Sequence, residues 1–239
     1  HVPALLGAGR VLLADRPSDA LPRFESVLQS QTAAEVALPN GRNARQEAQL
    51  GAARAMLSLG RVQEAKATLE ALAAERDEDG EVLLWLGRAE IGLSPPAYAA
   101  AEEHFRSSIQ VGPERFEAYL ALAELFRATE RGADGDLVLQ QAVARVPETA
   151  EMRHQLGLFE LRRNRHDHAV RELTRALELD DSLPPALFSL GVAQRRSGRL
   201  AQAAASFDRL AEIDNGYPGL SRERGLLFDA RGESAPAVL

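Results

Sequence analysis

The chain has 239 residues and a formal net charge of −7, and 45% of its residues are hydrophobic but only 5% aromatic. Because nucleic acid is bound largely through its negative phosphates, an acidic chain of this kind disfavours DNA or RNA as the main partner. The absence of cysteine excludes disulfides, thiolate nucleophiles and cysteine-bound metals. No apolar run is long enough to span a bilayer, so we expect a soluble protein, in either the cytoplasm or the periplasm.

Residues 1–31 are predicted to form a degenerate pair of helices. Gly7 lies where the first helix needs a small residue for close packing, and Ala20 and Phe24 are placed on the second helix. The following segment, 32–45, is predicted to be an irregular insertion, because it interrupts the spacing of the helices and contains the turn-forming sequence Pro39-Asn40-Gly41.

From residue 46 onwards the sequence repeats. Small residues recur at intervals of 34, 36, 34, 34 and 34, at Ala53, Gly87, Ala123, Gly157, Gly191 and Gly225. A second small-residue series has the same period, at Ala65, Ala101, Gly135, Ala169, Ala203 and Ala237. A fixed period of about 34 residues indicates a repeat array. The predicted repeats are 46–79, 80–115 with a lengthened turn, 116–149, 150–183 and 184–217, followed by a truncated half-repeat at 218–239.

Each repeat is predicted to be two helices joined by a short turn. In the repeat 150–183, apolar residues at helical spacing predict a helix from Glu151 to Arg163, a turn at Asn164-Arg165 and a second helix from about Asp167 to Leu179. Glycine, which adopts a positive φ at little cost, lies at the corresponding turns of other repeats, at Gly60, Gly198 and Gly232.

This pattern resembles the tetratricopeptide repeat (TPR) family, whose unit is a helix–turn–helix of 34 residues. The family's small positions 8 and 20 match the two series above, and its bulky position 24 matches Leu69, Phe105, Leu139, Leu173 and Phe207. The aromatic at position 11 is replaced by Glu90, Glu160 and Gln194, which we expect to lower local packing. The resemblance implies an all-α fold, a right-handed superhelical solenoid of stacked antiparallel helix pairs, whose first helices line a concave face.

The family's groove positions, carried over to this sequence, give a candidate partner-binding lining. It consists of Arg54, Leu57, Leu84, Arg88, Ile91, Leu120, Glu124, Arg127, Leu158, Arg162, Phe188, Val192, Arg195 and Arg196. Guanidinium groups bind carboxylates bidentately, so an acidic or carboxylate-bearing peptide is the sharper hypothesis. The plainer alternative is that these arginines are ordinary surface cations, since 27 of the 28 basic residues are arginine.

Three smaller patterns have both a functional and a structural interpretation. The cluster His166-Asp167-His168 invites a metal site, but a solvated turn with Asp167 as helix N-cap is favoured. Trp85 is either a core residue or a groove residue. The glutamates at position 2 of four repeats are explained by the helix dipole; they are Glu47, Glu81, Glu117 and Glu151.

No catalytic constellation, metal quartet or cofactor-binding motif is evident, so we predict a non-enzymatic scaffold that binds a peptide or helix of a partner protein. One alternative is a substrate-recruiting or regulatory module of a larger, possibly transferase, enzyme. Another is a self-assembling adaptor whose terminal half-repeat docks onto a neighbouring copy. Because the chain begins at His1 and stops inside a repeat, we expect a piece of a longer or processed protein.

Overall fold

The computed structural model describes residues 1–75 and 78–232, which are organised into α-helices joined by turns and one longer segment. The prediction of an all-α fold is confirmed. The helices are α1 Val2–Leu12, α2 Pro17–Leu28, α3 Ala44–Ser58, α4 Val62–Glu75, α5 Gly80–Ile91, α6 Tyr98–Val111, α7 Phe116–Ala128, α8 Gly132–Arg145, α9 Ala150–Arg162, α10 His166–Leu179, α11 Pro184–Arg196, α12 Leu200–Ile213 and α13 Leu220–Arg231.

The chain divides into two compact units, unit 1 at His1–Val146 and unit 2 at Pro147–Leu239. Within unit 1, α1 contacts α3, α3 contacts α5 and α5 contacts α7, in addition to the contacts between helices adjacent in sequence, and in unit 2 α9 contacts α11 and α11 contacts α13. The even-numbered helices have no comparable contact with one another in the described part of the chain. We call the odd-numbered helices of each unit its first-helix layer. It is the more tightly packed side of each unit.

The helices of the repeat 150–183 agree with the prediction to within about one residue. The turn between them contains Asn164 at a φ of 57°, a left-handed conformation that asparagine tolerates better than most residues. Positive φ is also found at the predicted turn glycines, which are Gly60, Gly198 and Gly232. The boundaries between repeats stay a prediction, and residues 76–77 and 233–239, including Ala237, lie outside the described residues.

Paired helices approach most closely where a bulky side chain lies over a glycine. A Cβ atom added to Gly87 would lie 2.6 Å from Phe105 Cε1, and one added to Gly157 would lie 2.5 Å from Leu173 Cγ. Gly191 receives Phe207 in the same way. Since all three bulky side chains are fully buried, glycine at these points sets the distance between the two helices of a pair.

The packing role expected of Gly7 is wrong. Gly7 is exposed and has no neighbouring atom within 4 Å of an added Cβ, whereas Gly9 would place its Cβ 2.7 Å from the ring of Phe24. Gly51 of α3 lies against the same ring, at 2.5 Å. Phe24 of α2 therefore contacts both α1 and α3. Gly225 has nothing within 4 Å of an added Cβ among the described residues, and the small residue that matches it in the predicted half-repeat, Ala237, lies outside them.

Residues 29–43, between α2 and α3, are tied to the helices by one buried arginine. The side chain of Arg42 is 4% exposed, and its Nε and Nη2 donate to Oδ2 and Oδ1 of Asp79 at 2.8 and 2.6 Å. Its Nη1 donates to Glu81 at 2.9 Å and to Glu47 at 3.1 Å. Asp79 also caps α5 by accepting from two backbone N–H groups. The predicted insertion thus joins the starts of α3 and α5.

The Arg42 cluster controls the ionisation of its carboxylates. Burial alone would raise the pKa of Asp79, but the hydrogen bonds and charge of Arg42 reverse this and hold it below the ordinary value. Burial also acts to raise the pKa of Glu47, and hydrogen bonds from Arg10, Asn40 and Arg42 lower it. Both carboxylates are therefore kept charged by their partners.

Two of the polar residues at position 11, Glu90 and Gln194, find partners within their own helix pair. Glu90 of α5 lies 2.8 Å from His104 Nδ1 of α6, and Ser206 of α12 donates to Gln194 Oε1 at 2.7 Å. These hydrogen bonds replace the aromatic contact whose absence was expected to weaken packing.

Replacing Gly87 with alanine is expected to destabilise unit 1, because the added methyl group would overlap the buried ring of Phe105. Overpacking of this kind costs about 1–3 kcal/mol. The matched control is Gly7→Ala, also inside a helix of unit 1 but with open space at the Cβ. It is expected to stabilise by up to about 1 kcal/mol through helix propensity. Urea unfolding followed by circular dichroism measures both, and equal effects would contradict the packing role of Gly87.

Substituting Arg42 by methionine is expected to destabilise unit 1 by about 3–5 kcal/mol, because the buried carboxylate of Asp79 loses the guanidinium that binds both of its oxygens. Adding Asp79→Asn, which removes that charge but keeps a helix-capping side chain, should restore part of the loss. Arg106→Met, at an exposed ion pair with Glu102, is the control and should cost less than about 1 kcal/mol. Urea unfolding separates the three variants. A loss for Arg42→Met no larger than that for Arg106→Met would show that the buried network is not stabilising.

Candidate functional site

The residues predicted to line a groove all lie in the first-helix layers. Unit 1 contributes eight of them, on α3, α5 and α7, and unit 2 contributes six, on α9 and α11. Leu84, Leu120 and Val192 are only 3%, 8% and 8% exposed. They therefore pack inside the protein and offer little surface to a partner. The half-buried or exposed members are Arg54, Leu57, Arg88, Ile91, Glu124, Arg127, Leu158, Arg162, Phe188, Arg195 and Arg196. A binding role for this set stays a prediction.

Trp85 of α5 binds two arginines of the first-helix layer in unit 1. The guanidinium carbon of Arg88 lies 4.4 Å from its ring centroid, and that of Arg54, on the neighbouring helix α3, lies 4.7 Å away. Trp85 is half-buried and also packs against the core formed by α3, α4 and α5. It therefore belongs to both the core and the candidate face, and it holds two of the predicted arginines in one place by cation–π contact.

The two arginines at Trp85 differ in their partners. Arg54 Nη1 lies 3.5 Å from Glu81 Oε1, and its Nε is buried without a hydrogen-bond partner in the described part of the chain. Burial lowers the pKa of Arg88; Glu124 opposes this effect, and the nearby positive charge of Arg54 adds to it. Arg54 and Arg88 therefore place two positive charges close together in a position from which water is partly excluded.

The arginines of unit 2 are arranged differently. Arg195 donates from Nη2 and Nε to Glu223 of α13 at 2.8 and 3.0 Å, so its charge is already compensated. Arg162 and Arg196 are exposed at the ends of α9 and α11. The Arg195–Glu223 pair was not foreseen from the sequence, because only the folded layer brings α11 and α13 together.

An aromatic group lies on the same layer of unit 2. The ring of Phe188 is half-buried, and its centroid is 5.3 Å from that of Tyr217 and 6.3 Å from that of the buried Phe207. Leu158 is also half-buried on the adjoining helix α9. In unit 2 the predicted face thus combines an apolar aromatic surface with one neutralised arginine.

Two of the position-2 glutamates do more than complement helix dipoles. Glu47 and Glu81 bind the buried Arg42, while Glu117 and Glu151 are exposed. The repeat pattern contains no signal for this difference, because Arg42 lies in the segment that does not repeat.

The N-cap role predicted for Asp167 is wrong. Helix α10 begins at His166 with Arg165 in the N-cap position, and Asp167 instead accepts a hydrogen bond from Arg199 at 2.7 Å. The carboxylate of Asp167 thus connects the start of α10 to the turn before α12 and does not cap its own helix. Within residues 1–75 and 78–232, no group of three histidine or acidic side chains is placed to hold a metal ion.

A buried histidine in unit 2 makes a contact that the sequence did not suggest. His154 Nε2 lies 3.3 Å from Ser189 Oγ, and its Nδ1 lies 3.9 Å from Glu151. This order of groups is reminiscent of a hydrolytic triad. However, His154 and Ser189 are only 6% and 5% exposed, so the hydroxyl is buried between α9 and α11. Burial lowers the pKa of His154, against a weaker opposite effect of Glu151.

The architecture of paired helices with an exposed first-helix layer is that of a helical repeat protein. Models of the tetratricopeptide repeat match residues 11–89 and 155–218, which together are more than half of the chain. The chain belongs to the tetratricopeptide repeat family, as its period predicted. No curated protein matches it.

Solved structures of repeat proteins have the same fold. A thermophilic TPR protein of Thermus thermophilus has 25% identity and a TM-score of 0.57, over 78% of this chain and 98% of that one. PilW, described as a widely conserved type IV pilus biogenesis factor, has 16% identity and a TM-score of 0.62, over 79% and 87% of the two chains. A TPR protein of Parabacteroides merdae ATCC 43184 has 13% identity and a TM-score of 0.59, over 97% and 87%. The predicted class of helical-repeat solenoid is confirmed.

None of the described helices combines the length and the hydropathy needed to traverse a lipid bilayer.

The stability of unit 2 is expected to fall as the pH drops below about 6.5, the ordinary pKa of histidine. Below that value the unfolded chain binds a proton that the buried, neutral His154 resists, so the unfolded state gains stability, by at most about 1.4 kcal/mol per pH unit. His154→Gln should remove this part of the pH dependence, whereas His168→Gln, at an exposed side chain, should leave it. Urea midpoints at about pH 7.5 and 5.5 test this; an unchanged pH dependence in His154→Gln would contradict it.

Proposed function

We propose that this chain is a non-catalytic protein–protein interaction scaffold that holds a peptide or helix of a partner protein against its first-helix layers. The observation that carries the proposal is the side-chain set that these layers expose, with Trp85, Arg54 and Arg88 in unit 1 and Phe188 in unit 2. Partly exposed aromatic residues and arginines are the types that dominate protein interfaces. Stacked helical repeats also offer extended surfaces to their partners.

The partner that fits this surface is acidic or carries a carboxylate. In unit 1, Arg127 is exposed and Arg88 is half-buried, while the adjoining apolar surface comes from the half-buried Leu57 and Ile91. A segment with both apolar side chains and a carboxylate would satisfy the two parts of the face together. The acidic net charge of the whole chain makes this arginine face a local exception.

Reversing charge at Arg127 and Arg162 together is expected to weaken partner binding by about tenfold or more, since charge-assisted hydrogen bonds are lost and repulsion is added. Both side chains are exposed on first helices, so the fold should be retained. Peptides selected from a random dodecapeptide library on the whole chain serve as ligands, and isothermal titration measures their affinities for Arg127→Glu/Arg162→Glu.

The matched control is Arg145→Glu/Arg171→Glu, which places the same charge change at exposed arginines of the even-numbered helices α8 and α10. It should leave the affinities within about twofold. Equal weakening by the two double variants would mean that net charge, not the first-helix layer, controls binding. A library from which no peptide is enriched would also reject the proposal.

A further inference from the structure

The turn between α5 and α6, residues 92–97, is longer than its helix pair requires. In the other four predicted helix pairs from residue 46 to 217, the backbone N–H before the second helix donates to the position-11 carbonyl five residues earlier, at 2.7–3.0 Å. The donors are Arg61, Arg131, Arg165 and Arg199. In the repeat 80–115 the same bond, from Ala97 to Glu90 at 2.9 Å, closes over seven residues. Two residues of this turn are therefore not needed to join the helices.

The additional length of the turn is at the surface. Pro95 and Pro96 are exposed, and Tyr98, the first residue of α6, is 40% exposed. The base of the turn is fixed, because the carbonyl of Glu90 also accepts from the N–H of Leu93 at 3.4 Å, and Leu93 is half-buried. The two prolines thus extend into solvent from an ordered base.

The exposed side chains of this turn are those that aromatic grooves bind. The proline ring fixes φ near −65°, close to the value in a polyproline II helix, so adjacent prolines lose little conformational entropy on binding. Grooves lined by aromatic side chains use this property to recognise proline-rich segments. The Cα atoms of Pro96 and Tyr98 are at most about 7 Å apart, so one groove can contact both.

We propose that Pro95-Pro96-Ala97-Tyr98 is a recognition segment, bound by a partner domain whose groove is lined by aromatic side chains. The two prolines enter the groove, and Tyr98 supplies a second anchor with a hydroxyl that can form a hydrogen bond. The proposal goes beyond the scaffold function of the first-helix layers and does not depend on it, because here this chain supplies the ligand and the partner supplies the groove.

The spacing of the segment distinguishes two kinds of proline-binding domain. SH3 domains bind segments in which a second proline follows the first by three positions. The residues three positions after Pro95 and Pro96 are Tyr98 and Ala99, so the segment lacks that spacing. It fits a groove of the WW type, in which the tyrosine beside the prolines takes the place of the second proline.

The test measures binding of the whole chain to a dye-labelled WW domain that is selective for adjacent prolines followed by tyrosine, by fluorescence anisotropy. Pro96→Ala and Tyr98→Ala are expected to weaken binding at least about tenfold, because each removes a side chain that occupies the groove. The control is Pro218→Ala, at an exposed proline that follows the half-buried Tyr217 in the opposite order. It should change the affinity by less than about twofold. A labelled SH3 domain should bind wild type no more tightly than Tyr98→Ala.

A shortened turn separates recognition from folding. Deleting Pro95 and Pro96 together with Ser94→Gly restores the five-residue spacing and places glycine before the donor, where Gly60 and Gly198 have positive φ. This variant is expected to lose binding to the WW domain but to keep a urea midpoint at least as high as that of wild type, since a shorter loop costs less entropy to close.

A lower urea midpoint for the shortened chain would show that the prolines stabilise the fold and would overturn the proposal. Wild-type binding to the WW domain no tighter than that of the shortened chain would also overturn it, as would a preference for the SH3 domain. None of these results bears on peptide binding by the first-helix layers, so failure of the recognition segment and failure of the scaffold function are distinguishable.

Discussion

The close approach of two helices at a small residue is the constraint on which the rest of the structure depends. Where Gly87 receives Phe105 and Gly191 receives Phe207, the separation of the paired helices is fixed by one side chain. The same contact fixes the rotation of the first helix about its axis. The residue that follows the small one then lies on the side of the helix that the layer exposes. Arg54 and Arg88 follow Ala53 and Gly87 directly, and because α3 and α5 are in contact, both reach the ring of Trp85.

The repeating part of the fold could be predicted because each repeat meets the same physical demand. The period of 34 residues placed α9 and α10 to within about a residue, and it placed the left-handed turns at Asn164 and at the turn glycines. Where the period is weak, the prediction was less accurate. Near the start of the chain it chose Gly7, although Gly9 is the residue that meets Phe24, since two glycines two positions apart look alike in sequence.

The candidate site shows which kind of information a period lacks. It locates first-helix positions, but the pairing of their charges depends on distances between side chains far apart in sequence. Arg195 is neutralised by Glu223, 28 residues away, while Arg88 shares Trp85 with a second cation. Arg42 was not foreseen for the same reason, because its partner Asp79 is 37 residues away and its own segment has no repeat.

The burial of the Arg42 cluster also distinguishes it from the ion pairs at the surface. Arg42 and Asp79 are 4% and 8% exposed, whereas Arg175 and its partner Glu178 on α10 are 44% and 57% exposed. Dissolved salt weakens attraction between charges that mobile ions can surround, and does so much less for charges enclosed by protein. The ion pairs between Arg42 of the non-repeating segment and the start of α5 would therefore persist at a salt concentration that weakens most of the surface ion pairs. The protein would keep this connection in environments of very different salinity.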